Sequence, residues 1–238
     1  MIKINKITLI GLMGLLSIIF GCKTVSNDKK KSDTVVEDFK KYRDKEKEDG
    51  FFIDFNESKF WEIIDYSKQK FPDNKDLQVD LLIDIIADRE DEEIFRFNLY
   101  KDWVYYQAYT SDLWAIAYTA TCGCSDDSFS DYRSWLITEG KDKYYKILKA
   151  SPDDLVDSFE TTKDINGRCE KFHSFSYYVY EKKYPESIDP GWDFDDKYSK
   201  FDKSELNFDF PKLEFNWEGI EDIKKLFPRF YKKYNNIC

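Results

Sequence analysis

Apolar residues in this chain recur at three- and four-residue intervals, with proline, glycine and short polar residues between the runs. That rhythm leads to a stack of amphipathic helices. Leu77, Leu81, Leu82, Ile85 and Ile86 share one helical face. Phe60, Trp61, Ile63, Ile64 and Phe71 share another, closed by Pro72, with Asn56 or Ser58 available as its cap. The acids Glu90, Asp91, Glu92 and Glu93 stand where a helix dipole favours them, ahead of Ile94, Phe95, Leu99 and Trp103. Ser111 is the expected cap of a helix carrying Leu113, Trp114, Ile116, Ala117 and Ala120. In Ser151-Pro152-Asp153-Asp154 a hydroxyl at the cap precedes a first-turn proline and an acid three residues on. Cys169, Phe172, Ser176 and Tyr180 form a further stripe that ends before Pro185, and a last helix includes Ile220, Ile223, Leu226 and Phe227. Between Glu186 and Trp217 the rhythm fails, and alternation over Leu206 to Phe210 suggests a short strand. The expected fold is mainly α: a single compact multi-helix domain over residues 51–238, with an irregular C-terminal third.

The N-terminus follows a different rule. Lys3 and Lys6 lead into the apolar run Ile7 to Phe20, which is short for a bilayer span and right for a secretory leader. Its last four residues, Ile19-Phe20-Gly21-Cys22, resemble the lipobox of bacterial lipoproteins, although Ile19 and Phe20 stand where leucine and a smaller residue are usual. The resemblance implies a signal peptide over residues 1–21, acylation of Cys22 with palmitate-like chains, and a place in the bacterial cell envelope, lipid-anchored to a membrane outside the cytosol. Stable anchoring takes more than one acyl chain, and lipoproteins of this type carry two or three. Residues 22–50 follow as a charged tether that includes Lys29-Lys30-Lys31 and the mixed run from Arg43 to Asp49. As a flexible coil this segment reaches roughly 30 Å.

Removing Lys3 and Lys6 leaves 35 of the 37 basic residues against 47 acidic ones, a formal charge of −12. An acidic chain repels nucleic acid and anionic headgroups, whose binding rests on Lys and Arg, so no nucleic-acid partner is expected. A basic protein partner suits it better. Aromatic residues make up 18% of the chain. Such a surplus either furnishes a binding surface or reflects an AT-rich genome, which raises Lys, Asn, Ile, Phe and Tyr together.

The densest run is Ser111 to Gly140, SDLWAIAYTATCGCSDDSFSDYRSWLITEG. Folding alone accounts for much of it. Ser125 reads as an N-cap, Asp126 and Asp127 as first-turn acids, and Phe129, Tyr132, Arg133 and Leu136 as one face that Gly140 ends. Arg133 would then pair with one of those acids or with Asp112, and Cys124 would fill a buried site. The same residues also admit a catalytic reading. Asp126 and Asp127 would supply a general base, Arg133 an anion clamp and Cys124 a nucleophile at a helix N-terminus, with Trp114 and Arg133 as binding residues. The chain's single histidine, His173, lies in an aromatic stretch and is expected to pack rather than to serve Cys124.

The run resembles the bacterial domain of unknown function 4240. The resemblance is carried by Phe60-Trp61-Glu62-Ile63-Ile64, by Asp112-Leu113-Trp114-Ala115-Ile116-Ala117-Tyr118 and by Gly123-Cys124-Ser125-Asp126-Asp127-Ser128-Phe129. It continues through Tyr132-Arg133-Ser134-Trp135-Leu136-Ile137, Ser151-Pro152-Asp153-Asp154-Leu155 and Phe227-Pro228-Arg229, in one order from Ser58 to Tyr234. Two positions depart from the pattern: Cys122 stands where the family tends to have glycine, and Ile116 where it tends to have alanine. The resemblance implies a fold and carries no activity with it.

Metal and cofactor patterns are not expected here. Cys122-x-Cys124 has no second pair at ligand spacing, and Asp193-Phe194-Asp195-Asp196 lacks the glycine and closing glutamate of a calcium loop. With Cys22 acylated, Cys122, Cys124, Cys169 and Cys238 allow three pairings. The family resemblance implies that Cys124 is a free buried thiol, and Cys169 with Cys238 is the preferred bridge. Two functions of different class remain open. One is a membrane-anchored, non-catalytic interaction module that binds an envelope protein or acts as an immunity-type inhibitor of a basic toxin. The other is an enzyme with a site built from Trp114, Asp126, Asp127 and Arg133.

Overall fold

The computed structural model describes residues 55–235 and, outside that span, only Glu37. The expected leader, Cys22, Cys238 and all of the tether except Glu37 lie outside the described residues. The span belongs to one compact unit, Phe52–Cys238. It is mainly helical, and among the described residues there is no strand. Six helices come first: α1 (Glu57–Lys70), α2 (Lys75–Ala87), α3 (Asp91–Gln107), α4 (Ser111–Ala120), α5 (Asp126–Thr138) and α6 (Lys141–Lys149). Two 3-10 turns, Pro152–Asp157 and Thr162–Asp164, lead to α7 (Glu170–His173), α8 (Phe175–Lys183) and α9 (Pro190–Ser199). The order closes with α10 (Ile220–Leu226) and α11 (Pro228–Tyr234).

Capping chemistry fixes the starts. Asn56 accepts from the Lys59 amide at 3.1 Å and Asn74 from the Leu77 amide at 3.0 Å, each satisfying a donor that the helix itself leaves open. Helix α1 ends at Phe71 because a residue before proline is driven out of helical backbone. The apolar stripe of α2 widens to include Val79 and Ile83, so that helix lies inside the domain, packed on α1, α3 and α8. Aromatic rings fill much of the space between these helices. Phe60 meets Phe97 at 5.0 Å, Phe97 meets Phe175 at 5.1 Å and Trp61 meets Tyr144 at 5.1 Å. Three buried tyrosine hydroxyls find backbone acceptors: Tyr132 donates to Ile165 O at 2.8 Å, Tyr144 to Val104 O at 2.5 Å and Tyr234 to Phe159 O at 2.7 Å. Among the described residues, more than half of the aromatic side chains are buried.

Several expectations are corrected. The cap of α4 is Thr110, whose hydroxyl accepts from the Leu113 amide at 3.2 Å; Ser111 is the first helical residue. Ser151 makes no side-chain cap bond, and the segment after it is a 3-10 turn. The stripe from Cys169 to Tyr180 is broken at Ser174 into α7 and α8. Leu206 to Phe210 is not a strand. Within the stretch from Glu186 to Trp217, where the rhythm fails, α9 forms, and the residues from Lys200 to Gly219 are irregular as expected. Asp189 caps that helix by accepting from the Trp192 amide at 3.0 Å, and Pro190 occupies its first turn. Its buried face is only Pro190, Phe194 and Tyr198, too few apolar residues to register as a stripe.

Cys169 is a free, buried thiol, so the expected Cys169–Cys238 bridge is not made. Among the described residues, the bridged cysteine is Cys122. Cys122 also holds the left-handed backbone, at φ 60°, which explains why glycine is usual at that position.

One contact is tight enough to test. A Cβ at Gly167 would fall inside the Trp135 indole, which is buried, lies 5.1 Å from Tyr132 and has the Lys143 ammonium 4.8 Å from its centroid. Gly167→Ala is expected to cost about 2 kcal/mol by overpacking. The loss should be read as a lower urea midpoint at unchanged slope. An unmoved midpoint would show that the loop relaxes around the methyl group.

Candidate functional site

The signature run folds into α4, a tight turn and α5. Thr121 Oγ1 lies 2.8 Å from Ala117 O and 2.7 Å from Gly123 O, and the Gly123 amide donates to Tyr118 O at 2.9 Å. Gly123 adopts φ 109°, a conformation in which glycine carries no steric cost. The Trp114 indole N–H donates to Cys124 O at 3.0 Å and its ring stacks on Phe129 at 4.4 Å, pinning the turn to the next helix. Ser125 then caps α5 as expected, accepting from the Ser128 amide at 3.3 Å.

These bonds decide what the candidate residues can do. Cys124 is a free, half-buried thiol, and burial pushes its pKa up to about 11. At neutral pH it is a thiol rather than the thiolate a nucleophile requires. His173 packs against the Tyr105 ring at 5.7 Å, and no hydrogen bond joins it to Cys124 among the described residues. Burial lowers the His173 pKa, so its neutral form is favoured. Asp126 and Asp127 are exposed in the first turn of α5. Asp112 is half-buried, and burial raises its carboxyl pKa.

Arg133 departs most from expectation. It is only 5% exposed, yet its hydrogen bonds go to no carboxylate. Nη1 donates to Tyr105 O at 3.1 Å, and Nη2 to the Tyr105 hydroxyl at 2.8 Å and to Ser130 Oγ at 3.4 Å. The rings of Tyr105, Tyr109 and Phe129 stand 3.7, 4.6 and 5.0 Å from the guanidinium carbon and give it a cation–π environment. Nε is buried with no hydrogen-bond partner among the described residues. Burial pulls the guanidinium pKa below its ordinary value, although arginine stays charged at any working pH. The expected pairing of Arg133 with Asp112, Asp126 or Asp127 is not formed.

Arg133 lines a cleft of about 130 Å³ together with Tyr106, Tyr109, Asp126 and Ser130. Of the four residues proposed as an enzyme site, Asp126 and Arg133 meet there, whereas Trp114 and Asp127 do not line it. A larger concavity of about 480 Å³ shares the Tyr106 and Tyr109 walls and runs past Gln107, Phe210, Lys212 and Leu213. Gln107 Nε2, on that wall, is also buried without a partner among the described residues. The tyrosines at the end of α3 were not singled out in the sequence. Their only signal is the close spacing of Tyr105, Tyr106 and Tyr109. No group of three or more His, Cys, Asp or Glu side chains among the described residues is placed to hold a metal.

An all-α domain with a buried, carboxylate-free arginine under a tyrosine rim is the class that fold and site define. The family model described as "Protein of unknown function (DUF4240)" matches residues 55–184, and the chain belongs to that family. The match includes the whole signature run and ends at Tyr184, short of the Phe227-Pro228-Arg229 counterpart. That C-terminal segment nonetheless docks on the Ser151-to-Leu155 region. The Phe230 amide donates to Asp153 Oδ1 at 2.9 Å, and Arg229 meets Asp157 at 2.9 Å. No curated protein and no solved structure matches the chain.

Proposed function

We propose that this chain is a bacterial envelope lipoprotein, acylated at Cys22 and tethered by residues 22–50, whose helical domain is a non-catalytic interaction module. The observation that carries the reading is the asymmetry within the signature run. Its thiol candidate Cys124 stays protonated at the Trp114-bound turn, while its cation sits under tyrosine rings with no ion pair among the described residues. Arginine and tyrosine in a partly desolvated concavity are the residue types that dominate protein interfaces. The acidic balance of the chain favours a basic partner, as an envelope protein or a toxin held by an immunity-type inhibitor would be. No helix among the described residues is long and apolar enough to cross a membrane, and in this reading attachment rests on the N-terminal lipid.

The enzyme reading keeps one supporting observation, the shared cleft of Asp126 and Arg133, which would act as base and anion clamp. Two measurements test the proposal together. Metabolic labelling with a palmitate analogue is expected to mark the full chain and to place it in the membrane fraction, and Cys22→Ala to remove both. Capture from those membranes is expected to return a basic protein. An unlabelled, soluble chain with its initiator methionine would sink the anchor. A turned-over small molecule, lost in Asp126→Asn, would replace the module with an enzyme.

A further inference from the structure

We propose that the Arg133 cleft is a carboxylate clamp, and that the concavity beside it holds the last residues of a peptide whose C-terminus the clamp receives. The inference rests on the binding-module reading and names its ligand class. A buried cation without an anionic partner carries a desolvation cost that ring faces offset only in part. A planar carboxylate matches the guanidinium edge and forms charge-assisted hydrogen bonds with it. The unpartnered Nε is the donor left over for such a bond.

The surroundings select the anion. A cleft of about 130 Å³ holds a carboxylate and a few carbons. It offers one positive charge and has the Asp126 carboxylate on its wall, so a phosphate dianion is disfavoured more than a monoanion. The continuing concavity, about 480 Å³, supplies what a peptide needs next. Gln107 Nε2 is a buried donor without an acceptor among the described residues, fit for a peptide carbonyl, while Phe210 and Leu213 offer apolar wall. Tyr106 and Tyr109, 52% and 39% exposed, form the shared rim. Tyr109 lies over the guanidinium and is exposed enough to turn aside on entry. A peptide with basic residues before its carboxylate also meets the acidic balance of the chain favourably.

The test titrates the full chain with acetylated Gly-Ser-Gly-Lys-Ala-Phe, with the same peptide as its C-terminal amide, and with benzoate. The readouts are the Nε–H resonance of Arg133, identified by its loss in Arg133→Lys, and the anisotropy of fluorescein-labelled peptide. The free acid is expected to shift the resonance, and the amide to bind at least tenfold more weakly. Arg133→Lys is expected to cost the acid a similar factor, because an ammonium cannot reproduce the planar fork. Asp126 is exposed, so Asp126→Asn leaves folding intact and is expected to tighten the acid about threefold. Equal binding of acid and amide, or no binding of either, overturns the clamp. Benzoate binding without peptide binding overturns the peptide. A membrane partner captured equally by wild type and Arg133→Lys removes the clamp while leaving the interaction module standing.

Discussion

Replacing Glu139 by glutamine is expected to lower stability by about 2 kcal/mol at neutral pH and to flatten its dependence on acid. The carboxylate closes α5 and is 11% exposed. Lys68 and Lys143 reach Oε2 at 2.7 Å each, and Lys75 reaches Oε1 at 2.6 Å. Those lysines belong to α1, α6 and α2, so one side chain joins four helices. Burial alone would raise the Glu139 pKa, but the charges of Lys75 and Lys143 and the hydrogen bonds from Lys143 and Lys68 outweigh it and hold the value at about 2. The ordinary value is 4.5, and a shift of that size corresponds to about 3 kcal/mol. Lys75 is itself pushed below the usual lysine range, because burial outweighs its attraction to Glu139, and this takes back part of the gain. The folded carboxyl holds its proton more weakly than the unfolded one. Its contribution is therefore complete above about pH 4.5 and disappears as pH falls to about 2. Urea midpoints across that window should fall in the wild type and much less in Glu139→Gln. Parallel curves would show that another acid governs the transition.

Local chemistry made much of this fold legible, and long-range pairing accounts for the remainder. Asn56, Ser125 and Gly140 mark helix ends because capping and the left-handed conformation depend on residues within one turn. The α2 stripe could be read because burial repeats with the helical period. Helix α9 could not, since three buried residues and a cap give too short a pattern. The cap of α4 is displaced by one residue from the expected Ser111 to Thr110, because adjacent hydroxyls can each cap and only the backbone geometry decides between them. The site was half legible. Arg133 and Asp126 stood out, but their cleft is completed by Tyr106 and Tyr109 from the far side of α4 in sequence, and nothing local joins them to α5. The pairing of Arg133 with an acid failed for a related reason. Proximity in sequence suggested Asp126, Asp127 or Asp112, while packing of α3 on α5 gave the guanidinium tyrosine rings and a backbone carbonyl.

Trp114 divides a structural from a ligand-contacting role, and Trp114→Ala is expected to lose about 4 kcal/mol, close to the limit a domain of this size tolerates. The ring is buried, stacked on Phe129 with 16° between planes, met edge-on by Phe215 at 5.1 Å and 5.9 Å from Tyr109. Truncation would leave a void under Tyr109 and Phe129, two of the three rings around Arg133, and release the Cys124 carbonyl that the indole holds. Trp114→Phe keeps the stack and removes only the N–H donor, an expected loss of about 1 kcal/mol. The two variants separate the roles when peptide affinity is measured at a temperature where both are folded. If Trp114 acts by supporting Phe129 and Tyr109, Trp114→Phe should bind the free-acid peptide within about threefold of wild type, whereas Arg133→Lys loses at least tenfold. If instead the indole touches the ligand, Trp114→Phe should lose affinity by more than its stability falls. The fully engaged geometry of the indole favours the first outcome, which would leave the tyrosine rim and Arg133 as the surface that a partner meets.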